Sequence, residues 1–191
     1  MVSLVHAMQA PDFPAEPAIV ISNKPDAAGL AKAKSLGVPT TIVDHRPFQS
    51  DRAAFDEAIE TVLMEAGVEL VAEAGFLRIH GPAFAQRWKG RILNIHPSLL
   101  PLFPGLRTHE QALEAGVAIH GCTVHELTED LDAGPILGQA AVPVHANDTV
   151  ETLASRILVQ EHRLYPMVLA AFVREPAMAR RSPIALLSTT G

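Results

Sequence analysis

Short runs of apolar, β-branched residues alternate with helical patterns along the first half of the chain, and this alternation most constrains the fold. A β-α-β-α order predicts parallel strands connected by helices that cover both faces of the sheet. The pattern predicts strands at residues 18–22, 40–44, 70–76 and 91–95, and helices at about 26–36, 50–67 and 82–88.

The second half of the chain has a different pattern. Two apolar runs, 123–127 and 136–144, flank the loop 128–135, which predicts an antiparallel pair. Thr108 with Gln111, and Asp148 with Glu151, resemble capping boxes that open a short helix and a long helix to about residue 173. We therefore expect an α/β fold: an open, mostly parallel twisted sheet with helices on both faces and an antiparallel edge. It forms one domain over residues 1–191, with 174–191 as a surface tail.

Composition excludes several classes of protein. The 191 residues hold 15 Lys and Arg against 21 Asp and Glu, for a net charge of −6. Nucleic acids and acidic membranes attract basic surfaces, so neither is expected as a partner. Cys122 is the single cysteine, which excludes an internal disulfide, and no apolar run approaches the length of a membrane span. These features predict a cytoplasmic protein that acts on small molecules.

The most informative motif is Asn94-Ile95-His96-Pro97, at the end of a predicted strand. Asn94 and His96 are two residues apart, so their side chains share one face of the strand. An amide can hydrogen-bond a developing oxyanion, and an imidazole can stabilise it or transfer a proton. An isolated Asn-x-His is more often a buried histidine beside a turn-forming asparagine, so the motif leaves both interpretations open.

A second candidate is Asp132, in the loop Asp130-Leu131-Asp132-Ala133-Gly134-Pro135. Aspartate in such a loop is usually a turn former. If the loop folds back onto the sheet end, Asp132 can instead pair with His96 and favour the charged imidazolium. Nine histidines suggest a metal, but none has zinc-ligand spacing, so we predict no metal site.

Ordered motifs over residues 1–172 closely resemble the phosphoribosylglycinamide formyltransferase family of folate-dependent enzymes. They are Ser22-Asn23-Lys24, Ala74-Gly75-Phe76-Leu77-Arg78-Ile79, Asn94-x-His96-Pro97-Ser98-Leu99-Leu100-Pro101, Pro104-Gly105, Thr108-His109, His120-Gly121-Cys122-Thr123-Val124-His125, Asp132-x-Gly134-Pro135 and Gln160-Glu161-His162-Arg163-Leu164-Tyr165-Pro166. The resemblance implies a Rossmann-like fold. It also implies transfer of a formyl group from 10-formyltetrahydrofolate to the amine of glycinamide ribonucleotide, in purine biosynthesis.

The resemblance also implies roles for individual residues. Those matching the catalytic trio are Asn94, His96 and Asp132. Those matching folate-binding positions are Arg52, Leu77, Arg78, Ile79, His80, Asn94, Thr128 and Asp132, and Glu161 matches a carboxylate that binds the ribose of the amine substrate. Folate is then a co-substrate, with no permanently bound cofactor and no metal, and the protein is a monomer or homodimer.

The chain departs from the family pattern at its beginning. Family members start with an additional strand and a Gly-rich loop that binds the substrate phosphate at a helix N-terminus. Residues 1–4, Met-Val-Ser-Leu, instead resemble the interior of the helix that follows this loop, so the expected domain is N-terminally truncated. Leu158 also stands where a polar, substrate-facing residue is expected.

Three other functions remain open at this stage. Formyltetrahydrofolate deformylase shares the Asn-x-His and Asp elements, but Pro97 and Thr108-His109 fit the transferase better. Methionyl-tRNA formyltransferase shares the trio and requires a basic C-terminal domain. A folate-binding, catalytically impaired remnant is the third, because of the departure at the phosphate loop.

Overall fold

The computed structural model describes residues 1–76 and 78–188. Seven α-helices lie in the described part: α1 (Val2–Met8), α2 (Ala28–Ser35), α3 (Arg52–Glu65), α4 (Pro82–Arg87), α5 (Thr108–Glu114), α6 (Val150–Arg174) and α7 (Pro176–Arg181). Its strands are β1 (Val20–Ser22), β2 (Thr40–Ile42), β3 (Val71–Glu73), β4 (Ile92–His96), β5 (Ile119–Glu126), β6 (Ile136–Pro143) and β7 (Ile184–Leu187), and a 3₁₀ turn covers Arg46–Phe48.

The strands form two sheets. β1 and β2 make a parallel pair, while the other five strands make one sheet in the order β3-β4-β5-β6-β7. Within this larger sheet β3 is parallel to β4, β5 is antiparallel to both β4 and β6, and β7 is parallel to β6. The expected α/β fold with a mixed sheet is confirmed, but the antiparallel pairs lie inside the sheet and a parallel strand forms its edge.

Three apolar clusters lie among the described residues, and two of them are large. The larger lies between the sheet and α6, whose residues Leu153, Ile157, Leu164 and Val168 recur at helical spacing on one buried face. The second packs α3 and α4 against the start of β4, with Trp88 almost fully buried beside it. Leu93 of β4 belongs to the first core and Ile92 to the second, so the two cores lie on opposite faces of the sheet.

A cavity of about 1200 Å³ separates the two sheets. Its walls include residues 19–22 around β1, residues 70–73 around β3, and the apolar side chains Leu4, Val5 and Met8 of α1. Within the described chain β1 pairs only with β2, and β3 pairs only with β4. Each of these two strands therefore presents one edge without a neighbouring strand.

The helix boundaries correct two expected capping boxes. Thr108 does not cap α5, because its hydroxyl donates to the carbonyl of Pro97, and the residue before α5 is Arg107 in a left-handed conformation. At α6 the box is formed by Thr149 and Thr152. Asp148 lies one residue earlier and instead receives hydrogen bonds from Arg156.

The expected surface tail over 174–191 contains two ordered elements. β7 adds a parallel strand to β6, and α7 precedes it. Arg180 of α7 makes paired hydrogen bonds to the buried carboxylate of Glu126 at the end of β5. Because a buried carboxylate needs a partner, this contact joins the tail to the end of the strand that leads into the 128–135 loop.

Candidate active site

A cleft of about 800 Å³ opens beside the carboxyl ends of β3 and β4. Its walls come from the segment after β3, the loop after β4, the loop between β5 and β6, and one face of α6. In open α/β sheets this end of the strands is where ligands bind. The structure brings the predicted residues Asn94, His96 and Asp132 to this cleft.

Asn94 is oriented by a histidine from the neighbouring strand. β4 and β5 are antiparallel, and the register places His125 directly opposite Asn94. His125 Nδ1 donates to the carbonyl of Glu126, at 3.0 Å, which leaves Nε2 to accept from Asn94 Nδ2, at 3.3 Å. Burial lowers the pKa of His125, which keeps the ring neutral and able to accept. The amide of Asn94 is therefore held in one orientation.

Both ring nitrogens of the buried His96 face acceptors. Nε2 donates to the carbonyl oxygen of Phe103, at 3.0 Å, and Nδ1 lies 3.4 Å from the carboxylate oxygen Oδ2 of Asp132. A carbonyl and a carboxylate both need a donor, so the protonated imidazolium satisfies the two contacts together. The geometry places an imidazole with an acceptor at each ring nitrogen beside Asn94.

Asp132 reaches the site through an unusual backbone conformation. Its φ is 52°, in the left-handed region that Asp and Asn tolerate better than other non-glycine residues. Its Oδ2 also accepts from the backbone N–H of Gly105, at 2.8 Å. The carboxylate thus joins the loop between β5 and β6 to the loop that follows β4.

Two further histidines, His109 and His120, lie near His96. Burial lowers the pKa of both, to about 4 for His120, and the neighbouring imidazoles lower it further. In β5, burial raises the pKa of the Cys122 thiol to about 12. These groups stay neutral near pH 7, so they offer no second cation and no thiolate nucleophile.

The residues predicted to bind folate lie in three places. Arg78, Ile79 and His80 line the cleft in the segment after β3, and Thr128 lines it from the β5–β6 loop. Leu77 lies outside the described residues. Arg52 is the exposed first residue of α3 and is not among the described residues that line the cleft.

On the opposite wall, α6 contributes Glu161 and Leu158. Burial raises the pKa of the Glu161 carboxyl, because the low-dielectric surroundings disfavour its charge. Leu158, where a polar residue is expected, remains 47% exposed at the cleft. This wall therefore combines one carboxylate with an apolar surface.

His125 has no role predicted from the sequence, although its ring faces both Asn94 and Asp132. Its Nε2 also lies 3.7 Å from Asp132 Oδ1. The available signal was the apolar alternation around Thr123-Val124-His125, which predicts a strand but gives no register. Only the antiparallel pairing with β4 shows that His125 faces Asn94.

Two absences apply to the described residues. No group of three or more His, Cys, Asp or Glu side chains among residues 1–76 and 78–188 is placed to hold a metal ion. No helix in the same part of the chain is long and apolar enough to cross a membrane.

The sequence and the fold match known proteins. The formyl transferase family model matches residues 1–169. The chain belongs to the formyl transferase family. The structure of this formyl transferase also superimposes on the crystal structure of phosphoribosylglycinamide formyltransferase from Brucella melitensis, with a TM-score of 0.85 and 51% identity, over 91% of this chain and 88% of that one.

Named relatives extend this similarity. Phosphoribosylglycinamide formyltransferase of Haemophilus influenzae is 42% identical over 170 residues, which cover 89% of this formyl transferase and 80% of the relative. The trifunctional purine biosynthetic protein adenosine-3 of Bos taurus is 49% identical over 167 residues, 87% of this chain. Those residues make up only 16% of the bovine protein, so the chain spans about one sixth of its length.

Gly134 determines how closely the Asp132 loop of this formyl transferase can approach β5. A Cβ at position 134 would lie 1.8 Å from the carbonyl oxygen of Glu126. We expect Gly134→Ala to lower the free energy of unfolding by about 1–3 kcal/mol, measured in urea, because backbone must move. Gly29→Ala in α2 is the control, since its Cβ has room and alanine favours helix. Equal stability of Gly134→Ala and the unmodified protein would contradict this assignment.

Proposed function

We propose that this formyl transferase transfers the formyl group of 10-formyltetrahydrofolate to the primary amine of glycinamide ribonucleotide. The observation that carries the proposal is the arrangement of Asn94, His96 and Asp132 in one cleft, in a chain of this family. An oriented amide, an imidazole held between acceptors and a carboxylate are the groups that acyl transfer to an amine requires.

In the proposed reaction the neutral amine of the ribonucleotide attacks the formyl carbon. The new C–N bond converts the formyl group into a tetrahedral intermediate with an oxyanion. The donor to that oxygen is the Nδ2–H of Asn94 that does not bond His125, while His96, in its protonated form, stabilises the negative charge electrostatically. Because His125 holds the Asn94 amide and His96 lies between two acceptors, these groups need little reorganisation as the charge develops.

Proton transfer completes the proposed reaction. The attacking nitrogen becomes positive and must lose a proton, while the folate nitrogen must gain one before the C–N bond to folate breaks. Asp132, directly or through one water, accepts the first proton and returns it to the leaving nitrogen. The products are the formylated amide and tetrahydrofolate, with no covalent enzyme intermediate.

The two substrates are proposed to bind on opposite walls of the cleft. The pterin ring contacts the backbone of residues 77–80 and the loop from Thr128 to Asp132. The ribose hydroxyls of the amine substrate donate to Glu161. The position of these groups on facing walls around Asn94 supports the proposal, since it leaves the reacting atoms between them.

A product assay with and without the amine tests the proposed function. Incubation with 10-formyltetrahydrofolate and glycinamide ribonucleotide is expected to produce tetrahydrofolate and the formylated ribonucleotide in equal amounts. Omission of the amine is expected to abolish tetrahydrofolate release. Release of formate without the amine would instead identify a deformylase, and binding of folate without either product would identify an inactive remnant.

A further inference from the structure

A buried histidine after β3 is bonded to two carboxylates. His80 Nδ1 lies 2.7 Å from Asp56 Oδ1, and His80 Nε2 lies 2.7 Å from Glu73 Oε1. The three side chains are 3%, 4% and 10% exposed. A neutral imidazole has one N–H and cannot donate to both carboxylates, so the contacts require the imidazolium. We call His80, Asp56 and Glu73 the buried ion triad.

The charged form of His80 persists well above neutral pH. Burial by itself lowers the pKa of the ring, but the hydrogen bonds to Asp56 and Glu73 outweigh this effect and raise the pKa to about 9. The other polar groups nearby are Arg78, whose guanidinium lies over the ring of Phe55, and Tyr165 of α6, whose hydroxyl donates to the Glu73 carbonyl. Stabilisation by the triad is therefore complete below pH 6.5 and is lost as the pH rises through about 9.

The triad closes a loop that lines the cleft. Glu73 ends β3 and His80 lies seven residues later, so their hydrogen bond joins the two ends of residues 74–79. Asp56 of α3 bonds the same imidazole and accepts from the backbone N–H of Gly81, at 2.6 Å. The His80 ring also stacks between Phe76 and Phe84. The imidazole is therefore fixed to α3, to the end of β3 and to Phe76, and these contacts anchor the segment that lines the cleft.

We propose that the buried ion triad is a positioning device that holds the backbone of Arg78 and Ile79 in the conformation that binds the pterin ring. The inference rests on the proposed folate site. The imidazole and the two carboxylates act through this backbone rather than through contact with the substrate. Its consequence is a folate affinity that depends on the protonation of a histidine outside the catalytic trio.

The test compares the unmodified protein with Glu73→Leu/His80→Leu, which replaces a buried ion pair with an apolar pair. Asp56 then remains as the one buried carboxylate of the triad and keeps its hydrogen bond from the Gly81 N–H. The first readout is the dissociation constant of 10-formyl-5,8-dideazafolate between pH 7 and pH 10, with folding checked by circular dichroism. The second is the hydrogen-exchange protection factor of the backbone amides of residues 78–81. This factor divides the intrinsic exchange rate at each pH by the observed rate, so the direct effect of pH on exchange cancels.

We expect the affinity of the unmodified protein, relative to the double variant, to fall by tenfold or more between pH 7.5 and pH 10. The ratio cancels the titration of the ligand, which is common to both proteins. Protection of residues 78–81 is expected to fall over the same pH range only in the unmodified protein. His80→Leu alone, which leaves two buried carboxylates, is expected to weaken folate binding at least tenfold at pH 7.5 while the affinity for glycinamide ribonucleotide stays within twofold.

Glu60→Gln is the matched control. Glu60 lies one turn after Asp56 on α3 and pairs with Arg87 of α4. It therefore links α3 to α4 without a hydrogen bond to the segment between β3 and α4. It is expected to leave both pH profiles unchanged. A pH-independent affinity ratio together with unchanged protection of residues 78–81 would overturn the positioning role. Loss of protection above pH 9 in a protein that never binds the folate analogue would uphold that role and refute the proposed folate site.

Discussion

Replacement of His96 by alanine is expected to lower kcat by about 10²–10⁴-fold, the range typical of a group that stabilises charge or transfers protons. The side chain lies between Phe103 and Asp132, so alanine removes the imidazole that these contacts hold beside the Asn94 amide. The measurement is steady-state turnover of tetrahydrofolate with both substrates saturating. Folate-analogue affinity should change far less than turnover, because the lost interaction belongs to the transition state.

Asp132→Asn is expected to have an effect of the same order. Asparagine tolerates the left-handed backbone at position 132 and can still accept from the Gly105 N–H, so the loop keeps its shape while losing its negative charge. His6→Ala, on the exposed face of α1 and outside the cleft, is the control for a lost imidazole. Turnover of His96→Ala or Asp132→Asn near that of the control, in folded protein, would exclude the assigned roles.

A strand supplied between β1 and β3 is expected to raise both stability and turnover. We propose an extension before Met1 that carries five β-branched residues followed by a Gly-rich loop. The strand would fill the cavity of about 1200 Å³ and pair with the free edges of β1 and β3. For a chain of this size each kcal/mol gained raises Tm by about 2–4 °C, and we expect a rise of roughly 5 °C or more, measured by calorimetry.

The expected gain in turnover comes from the loop. Charge-assisted hydrogen bonds to a phosphate contribute about 1.5–3 kcal/mol each, so two of them correspond to about 10³-fold in kcat/KM. Binding energy at the remote phosphate also positions the amine. An extension of equal length with Gly and Ser in place of the strand is the control. Equal Tm for both extensions, or full activity without either, would refute this prediction and leave Lys24, near the end of β1, as the candidate phosphate ligand.

The local elements that the sequence predicted best are those with strong local signals. The helix predicted from residue 50 begins at Arg52, and the side chain of Asp51 before it accepts from the Ala54 N–H. The long apolar stripe of α6 also predicted both ends of that helix to within two residues. Such features depend on neighbours three or four residues away, which a single sequence displays directly.

Features that depend on distant pairing could not be predicted in this way. The Thr108 hydroxyl bonds Pro97, eleven residues earlier, and so is unavailable for the expected cap. β7 forms an edge strand because β6 offers it a partner, and the sequence of the tail does not reveal that partner. The bond from Asp56 to His80 spans 24 residues, and the one from Asn94 to His125 spans 31. No local pattern encodes either contact.

The tyrosine Tyr165 on α6 has a consequence for how the two substrates meet. Its hydroxyl lies 3.0 Å from the carbonyl of Glu73 and 2.8 Å from that of Leu93, so it bridges β3 and β4 where the cleft begins. Glu161 lies four residues earlier, on the same face of the helix. One helix thus carries the proposed ribose ligand and also spaces the strands that lead to the proposed folate wall. The distance between the formyl donor and the amine acceptor is then set by α6. This arrangement favours direct transfer of the formyl group, without a mobile carrier group.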